Sequence, residues 1–376
     1  MTLTSTEPVE AGATTTDRPE VERPEVDRPE ISVVVCTYRR AEKLPACLDA
    51  LARQTIRHRA EVIVVDDGPD DDTAAVAARY DVRLVRHPHN RGLAAARNTG
   101  ISAATAPIVA FTDDDCIPAD DWLEALLEPY DGDGVVAVGG GVEALRRETL
   151  VHRYLADTNR LAPLEVELGV SSSLTYRAML YLRRNLRGNG TLPGIRAVYS
   201  LVGANMSFRR DALVEIGMFD DRITFGGEDE DICRRMRNHF SRERFVFTSR
   251  AVIAHDFDGE LRDTLRRSYQ YGVGSARGYL KNDDQGPTLF PIPLLVAGLV
   301  LLGARRHWAL GAAIAVPFLV FSHWPVEAVR RRRLELLAFP AVQLLEETAH
   351  DLGFAKSFLR LRRAYRDRSR APETRP

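Results

Sequence analysis

Carboxylates gather in three places along this sequence: Asp66-Asp67, Asp113-Asp114-Asp115 and Glu228-Asp229-Glu230-Asp231. Side-chain oxygens of this kind suit hard divalent cations, and Mg²⁺ or Mn²⁺ held by one or two of them can also grip a diphosphate. Asp113–Asp115 directly follow the apolar run Ile108–Phe111, so their mutual repulsion at the end of a buried strand calls for a cation. The alternative is that they cap a helix begun at Pro118-Ala119-Asp120. Asp66-Asp67-Gly68-Pro69 reads either as a tight turn or as a carboxylate accepting a nucleobase N–H. Glu228–Asp231 follow Phe225-Gly226-Gly227 and precede Ile232-Cys233-Arg234-Arg235, the pattern of a first helical turn stabilised by acids. Four adjacent acids exceed what capping requires, and crowding should raise the pKa of at least one, as a general base needs. His255 ends the apolar run Ala251–Ala254 and reads first as structural. His87 and His89, beside Pro88 and Asn90, read as a solvated loop.

Elements that would position these acids are legible upstream. Strands are expected at Ile31–Cys36, Glu61–Val65, Val82–Val85 and Ile108–Phe111, with helices at about Lys43–Gln54, Thr73–Tyr80 and Leu93–Ala103. Continuous apolar strands alternating with helices predict an α/β fold with a mainly parallel sheet covered on both faces. Ligands collect at the carboxyl ends of such strands, where the first two acid clusters lie. The stretch 145–195 mixes apolar and basic residues without a clean period and is expected to form helices and loops facing an acceptor.

The chain has 376 residues, 28% of them charged, with a formal net charge of −2, which gives no sign of wholesale nucleic-acid binding. Its four cysteines (Cys36, Cys47, Cys116, Cys233) show no CxxC pair or metal-ligand spacing, and reduced thiols in a cytosolic compartment are expected. Residues 1–29 repeat Arg-Pro-Glu and offer little to bury, so a disordered tail is expected there. They lack the apolar core of a signal peptide.

Leu289–Ala304 and His307–Val326 are uncharged over sixteen and twenty residues. As helices they would reach about 24 and 30 Å, against a hydrocarbon core of about 30 Å. Two spans, a re-entrant or interfacial pair and a buried core hairpin all remain open, with Arg305 and Arg306 between them opposing the positive-inside tendency. Beyond Arg330–Arg333, the residues Leu337, Ala341, Leu345, Leu352, Ala355 and Leu359 share one helical face, suited to an anionic membrane surface or a partner chain. The expected division is 1–29 tail, 30–284 catalytic domain, 285–329 apolar membrane-associated hairpin and 330–376 basic amphipathic tail.

Taken together in order, a set of motifs over roughly residues 30–280 resembles the family 2 glycosyltransferases. They are Val33-Val34-Val35-Cys36-Thr37-Tyr38-Arg39-Arg40, Val64-Val65-Asp66-Asp67-Gly68, Arg91–Gly100, Phe111-Thr112-Asp113-Asp114-Asp115, Gly203–Arg210, Gly217-Met218-Phe219-Asp220 and Gly227–Asp231. Pro69 departs from the family's usual Ser. The resemblance implies an inverting enzyme of the GT-A nucleotide-diphospho-sugar transferase fold, dependent on a divalent metal (Mn²⁺ or Mg²⁺), with a nucleotide-sugar donor, UDP by default. It assigns Thr37, Tyr38, Asp66, Asp67, Gly92, Arg97, Asn98, Asp113, Asp114 and Gly203 to the nucleotide and donor. Asp115, Asp113 and His255 are implied metal ligands, and Asp229, with Glu228, is the implied catalytic base. Expected partners are a cell-envelope glycan or lipid-linked acceptor at the cytoplasmic face of the membrane, with no nucleic acid. A nucleotidyltransferase of similar fold and a non-catalytic membrane scaffold are the alternatives.

Overall fold

The computed structural model describes residues 28–68, 71–158, 161, 171, 173–187, 194–223, 226–281 and 288–369. The repeat in the expected N-terminal tail, Pro69, Phe225 and much of 159–172 lie outside the described residues, as do the last residues from 370.

The first half follows the alternation expected from the apolar runs. β1 (Ile31–Thr37), α1 (Leu44–Ala52), β2 (Ala60–Asp66), α2 (Asp71–Ala77), β3 (Arg83–Arg86), α3 (Leu93–Ala103) and β4 (Ile108–Asp113) succeed one another. β1 lies between β2 and β4 and is parallel to both, and β3 is parallel to β2. Side chains alternate across this layer. Val33, Val35, Val62 and Val64 pack with Leu44, Leu48 and Trp122, whereas Val34, Ile63 and Val65 pack on the other face with Ala94, Ile101 and Phe208. Burial on both faces is why these strands are apolar throughout.

The chain then departs from the expected parallel arrangement. β5 (Cys116–Pro118), α4 (Trp122–Leu127), β6 (Val135–Ala144), α5 (Leu150–Thr158), α6 (Leu174–Arg187), β7 (Ile195–Ala197), β8 (Met206–Arg209), α7 (Arg210–Glu215), α8 (Glu228–His239) and β9 (Arg244–His255) follow. The sheet runs β3-β2-β1-β4-β8-β6-β9-β5, with β7 also on β9. β8 is antiparallel to β4 and β6, and β5 and β7 are antiparallel to β9, so the sheet is mixed rather than mainly parallel. Only two residues separate β4 from β5, too few for a parallel crossover, so the chain leaves the parallel block there.

The helix expected to begin at Pro118 begins at Trp122, because Cys116–Pro118 pairs with Ile253–His255. Asp113–Asp115 therefore cap no helix.

α9 (Leu261–Lys281) leads to α10 (Pro291–Gly303), α11 (Trp308–Val320), α12 (His323–Arg331) and α13 (Phe339–Ser369). α13 lies against α9 backbone to backbone. A Cβ on Gly272 would stand 1.9 Å from the His350 carbonyl oxygen, and one on Gly353 2.0 Å from that of Tyr269. Tyr154, Trp324 and Phe339 form a satellite core, with the Tyr154 and Trp324 rings edge-on to Phe339 at 5.2 and 5.1 Å. No single helix among the described residues is long and apolar enough to cross a membrane. The uncharged stretch 307–326 is divided, and α11 and α12 together have the length and composition but meet at a 65° bend. The apolar side chains of α10 and α11 stay largely outside the core: Leu294, Leu301, Ile314 and Leu319 are exposed. On α13 the buried face carries Val342, Glu346, His350 and Phe354, while Leu345, Leu352 and Leu359 face outward.

Candidate active site

β1, β2 and β4 end side by side, and their parallel register brings Thr37 level with Asp66 and Cys36 level with Asp113. The loops beyond these ends hold most of the residues singled out in the sequence. The Thr37 hydroxyl donates to Asp114 at 2.7 Å. Arg40, to which the sequence reading gave no role, reaches Asp114 at 3.1 Å and Asp115 at 2.6 Å. Its guanidinium thus balances part of the charge at the end of β4.

Asp67 accepts hydrogen bonds from the backbone N–H groups of Arg91 and Gly92 at 2.9 and 2.8 Å, and lies 2.7 Å from His87 Nδ1. His87 is buried and bridges onward to Thr99 Oγ1 at 2.8 Å, which corrects the solvated-loop reading; His89 alone is exposed. Asp67 therefore ties the β2 end to the start of α3. Asp66 is fully buried beside Arg86. Tyr38 is 40% exposed and its ring covers Gly68. Asn98 exchanges two hydrogen bonds with the Phe219 backbone, at 2.8 and 2.9 Å, so its amide fixes the turn before α8.

Arg97 is the buried hub of the site. Its guanidinium donates to Glu228 at 2.9 Å and to the Gly203 carbonyl at 3.2 Å, and lies 3.6 Å from Asp113. A Cβ on Gly203 would come within 2.8 Å of that guanidinium, which explains why the position is glycine. The Gly203 N–H in turn donates to Asp229 at 3.1 Å, and the Glu230 N–H to the other Asp229 oxygen at 2.9 Å.

His255 reaches the acidic strand end through sheet pairing. Cys116 is directly opposite His255, and the Asp256 N–H donates to the Asp115 carbonyl at 2.8 Å. His255 Nε2 lies 3.6 Å from Asp115, its buried Nδ1 has no hydrogen-bond partner among the described residues, and its ring stacks on Phe257 at 4.1 Å. Donor atoms of Asp113, Asp115, Cys116 and His255 lie within 4.8 Å of one another. Two carboxylates and an imidazole at that spacing fit a divalent cation. Cys116, which cysteine spacing alone excluded as a ligand, lies in this cluster because it follows Asp115 and pairs with His255.

The charges respond to this packing. Burial pushes Asp114 up to about 7. Burial also raises Asp113, reinforced by Asp115 and opposed by Arg97. For Asp115 burial acts upward, but His255 and Arg40 overcome it and hold the carboxyl below its usual range. Burial lowers His255 against the pull of Asp115 and Asp113, favouring the neutral imidazole that a metal requires. In the α8 turn, burial raises Glu228, with Asp229 adding to it and Arg97 opposing. Asp229 is raised by burial as well, against Arg97 and the Gly203 and Glu230 amides.

The parallel half-sheet thus ends in a crevice of the kind where α/β sheets collect ligands, with acids at its strand ends and a second acidic turn across a buried arginine. Residues 32–216 match the model of glycosyl transferase family 2, and residues 181–331 that of glycosyl transferase family group 2. Across these segments the chain belongs to the family 2 glycosyltransferases. It is 33% identical over 253 residues to the pre-mycofactocin glycosyltransferase of Mycobacterium tuberculosis, a match covering 66% of this chain and 47% of that protein. It is 29% identical over 263 residues to glycosyltransferase AglE of Haloferax volcanii, covering 66% and 74%. The chain thus spans about half the length of the mycobacterial relative. Its fold is similar to that of a mannosyltransferase from Pyrobaculum calidifontis solved with GDP-Man and Mn²⁺, at TM-score 0.52 and 20% identity, over 89% of this chain and 88% of that one. Both matched models describe glycosyltransferases, and neither describes a nucleotidyltransferase.

Proposed function

We propose that the protein is an inverting, metal-dependent glycosyltransferase that moves a sugar from a nucleoside-diphosphate sugar to an acceptor hydroxyl. The observation that carries this is the Arg97 bridge, which sets the Asp229 turn beside the acidic end of β4. The nucleotide would lie over the ends of β1 and β2, against Thr37, Tyr38, Asp66 and Asp67, with its sugar toward Gly92, Asn98 and Gly203. Asp113, Asp115 and His255 would hold the divalent ion, which when bound offsets charge on the leaving diphosphate. Mn²⁺ in the similar Pyrobaculum structure supports that choice.

Asp229 acts as the base. Burial keeps its carboxylate eager for a proton, while Glu228, paired with Arg97, holds the turn in place. Asp229 takes the proton of the acceptor O–H as that oxygen bonds to C1 of the sugar. The C1–O bond to the diphosphate breaks on the opposite face, and the nucleoside diphosphate departs with the electron pair. A single displacement inverts C1. UDP is the favoured nucleotide, and a cell-envelope glycan or lipid-linked compound the favoured acceptor.

Exposed leucines on α10 and α11 and the Arg330–Arg333 run support membrane contact through 285–329, at the cytoplasmic face. At about 1.5 Å per residue each of these helices extends only about 20 Å, which favours lying in the interface over spanning. Asp229→Asn tests the reading: nucleotide affinity is retained and transfer is lost. Normal turnover by that variant would remove Asp229 as the base.

A further inference from the structure

The two oxygens of the Asp115 carboxylate meet different neighbours. Oδ1 faces the candidate metal cluster, 3.6 Å from His255 Nε2 and 3.8 Å from Cys116 Sγ. Oδ2 accepts a hydrogen bond from Arg40 Nη2 at 2.6 Å. The other arm of the same guanidinium, Nη1, lies 3.1 Å from Asp114 Oδ1, and the Thr37 hydroxyl donates to Asp114 Oδ2 at 2.7 Å. Asp114, with both oxygens engaged, is a fixed post for Arg40 and stands outside the cluster of Asp113, Asp115, Cys116 and His255. The Lys43 N–H donates to the Arg40 carbonyl at 2.9 Å and closes the loop that carries the arginine.

We propose that Arg40 selects the ion: by holding Asp115 Oδ2 it limits that carboxylate to one ligating oxygen, and so favours small octahedral cations such as Mn²⁺ and Mg²⁺ over Ca²⁺. The inference rests on the metal-site reading and adds which ion that site admits. Mg²⁺ demands near-octahedral geometry with short bonds, Mn²⁺ shares the octahedral preference, and single oxygens satisfy both. Ca²⁺ takes roughly six to eight oxygens and accepts both from one carboxylate. The number of oxygens on offer therefore separates the two kinds of ion, and Arg40 withdraws one. The hold comes from the planar fork, which reaches two carboxylates at once. The charge of Arg40, by contrast, repels every divalent ion alike, so it changes affinity without changing preference.

The probes are Mn²⁺ and Ca²⁺ themselves, titrated into the full chain without nucleotide. Electron paramagnetic resonance reads free Mn²⁺, displacement of bound Mn²⁺ reads Ca²⁺, and Asp115→Ala supplies the background from other carboxylates. Arg40→Met keeps the length of the side chain without a donor, and the 42% exposure of Arg40 leaves room for the change. The unmodified chain should prefer Mn²⁺, and Arg40→Met should lower the ratio of the Ca²⁺ to the Mn²⁺ dissociation constant at least fivefold. Lys43→Met removes a neighbouring cation that pairs with Asp256 rather than Asp115, and should leave that ratio within twofold. A ratio unchanged in Arg40→Met, or lowered equally in Lys43→Met, would overturn the role of Arg40 alone. Mn²⁺ binding no stronger in the unmodified chain than in Asp115→Ala would instead overturn the metal site on which the inference rests.

Discussion

Arg97 Nη1 stands 2.9 Å from Glu228 Oε1, a buried ion pair that joins the first turn of α8 to α3. The same guanidinium approaches Asp113, so one cation links the end of β4 with the turn carrying Asp229. Removing it would leave Glu228 buried without its counter-charge.

Arg97→Gln is therefore expected to cost about 3–5 kcal/mol of stability, the usual penalty for orphaning a buried ion-pair partner. Urea unfolding of the variant and parent chains measures this. Lysine at the same position should restore part of the stability but not the contact with Gly203, because it lacks the guanidinium fork.

As the proposed base, Asp229 should set the acid side of the pH profile. Its pKa is raised by burial, so the carboxylate is protonated, and unable to act as base, at pH values where an ordinary aspartate is already ionised. Transfer rate should rise with pH through a limb lying above the usual carboxylate range. A profile flat down to the ordinary aspartate range would argue against this assignment.

Gly272 predicts a steric effect far from the chemistry. A side chain there would meet the His350 carbonyl, and one on Gly274, two residues on, would meet the Gly226 carbonyl before α8. Gly272→Val should lower the thermal midpoint, with a cost of about 1–3 kcal/mol from overpacking. A midpoint unchanged within error would mean that α13 does not press on α9 in solution.

Vesicle binding tests the proposed membrane contact. Leu301→Ser combined with Ile314→Ser removes two exposed apolar side chains from α10 and α11. Co-sedimentation with phosphatidylglycerol vesicles should fall at least fivefold, since each buried CH₂ contributes about 0.8 kcal/mol to insertion.

Legibility in the sequence followed burial. Leu93–Ala103 matches the observed helix end to end, and the first four strands lie within two residues of their expected limits; β1, β2 and β4 are sandwiched and largely apolar on both faces, while the edge strand β3 shows only through Leu84 and Val85. β6 opens on the apolar run Val135-Val136-Ala137-Val138 but continues through Gly139-Gly140-Gly141, and β8 is only Met206–Arg209. The antiparallel insertions followed from contacts that no local pattern reveals. Motif order singles out Asp113, Asp115, Asp229 and His255, whereas the reach of Arg40 to Asp115 and the pairing of Cys116 with His255 appear only in the fold. Leu345, Leu352 and Leu359 lie on the exposed side of α13, while its buried face, with Glu346 and His350, is too polar to announce itself.

Calorimetric titration of UDP, GDP and dTDP, with and without Mn²⁺, into the unmodified chain and Asp115→Ala is the most direct measurement. Metal-dependent binding of one nucleotide, lost in the variant, is the predicted result. Binding of equal strength without metal, or undiminished in Asp115→Ala, would contradict a donor site built on the end of β4.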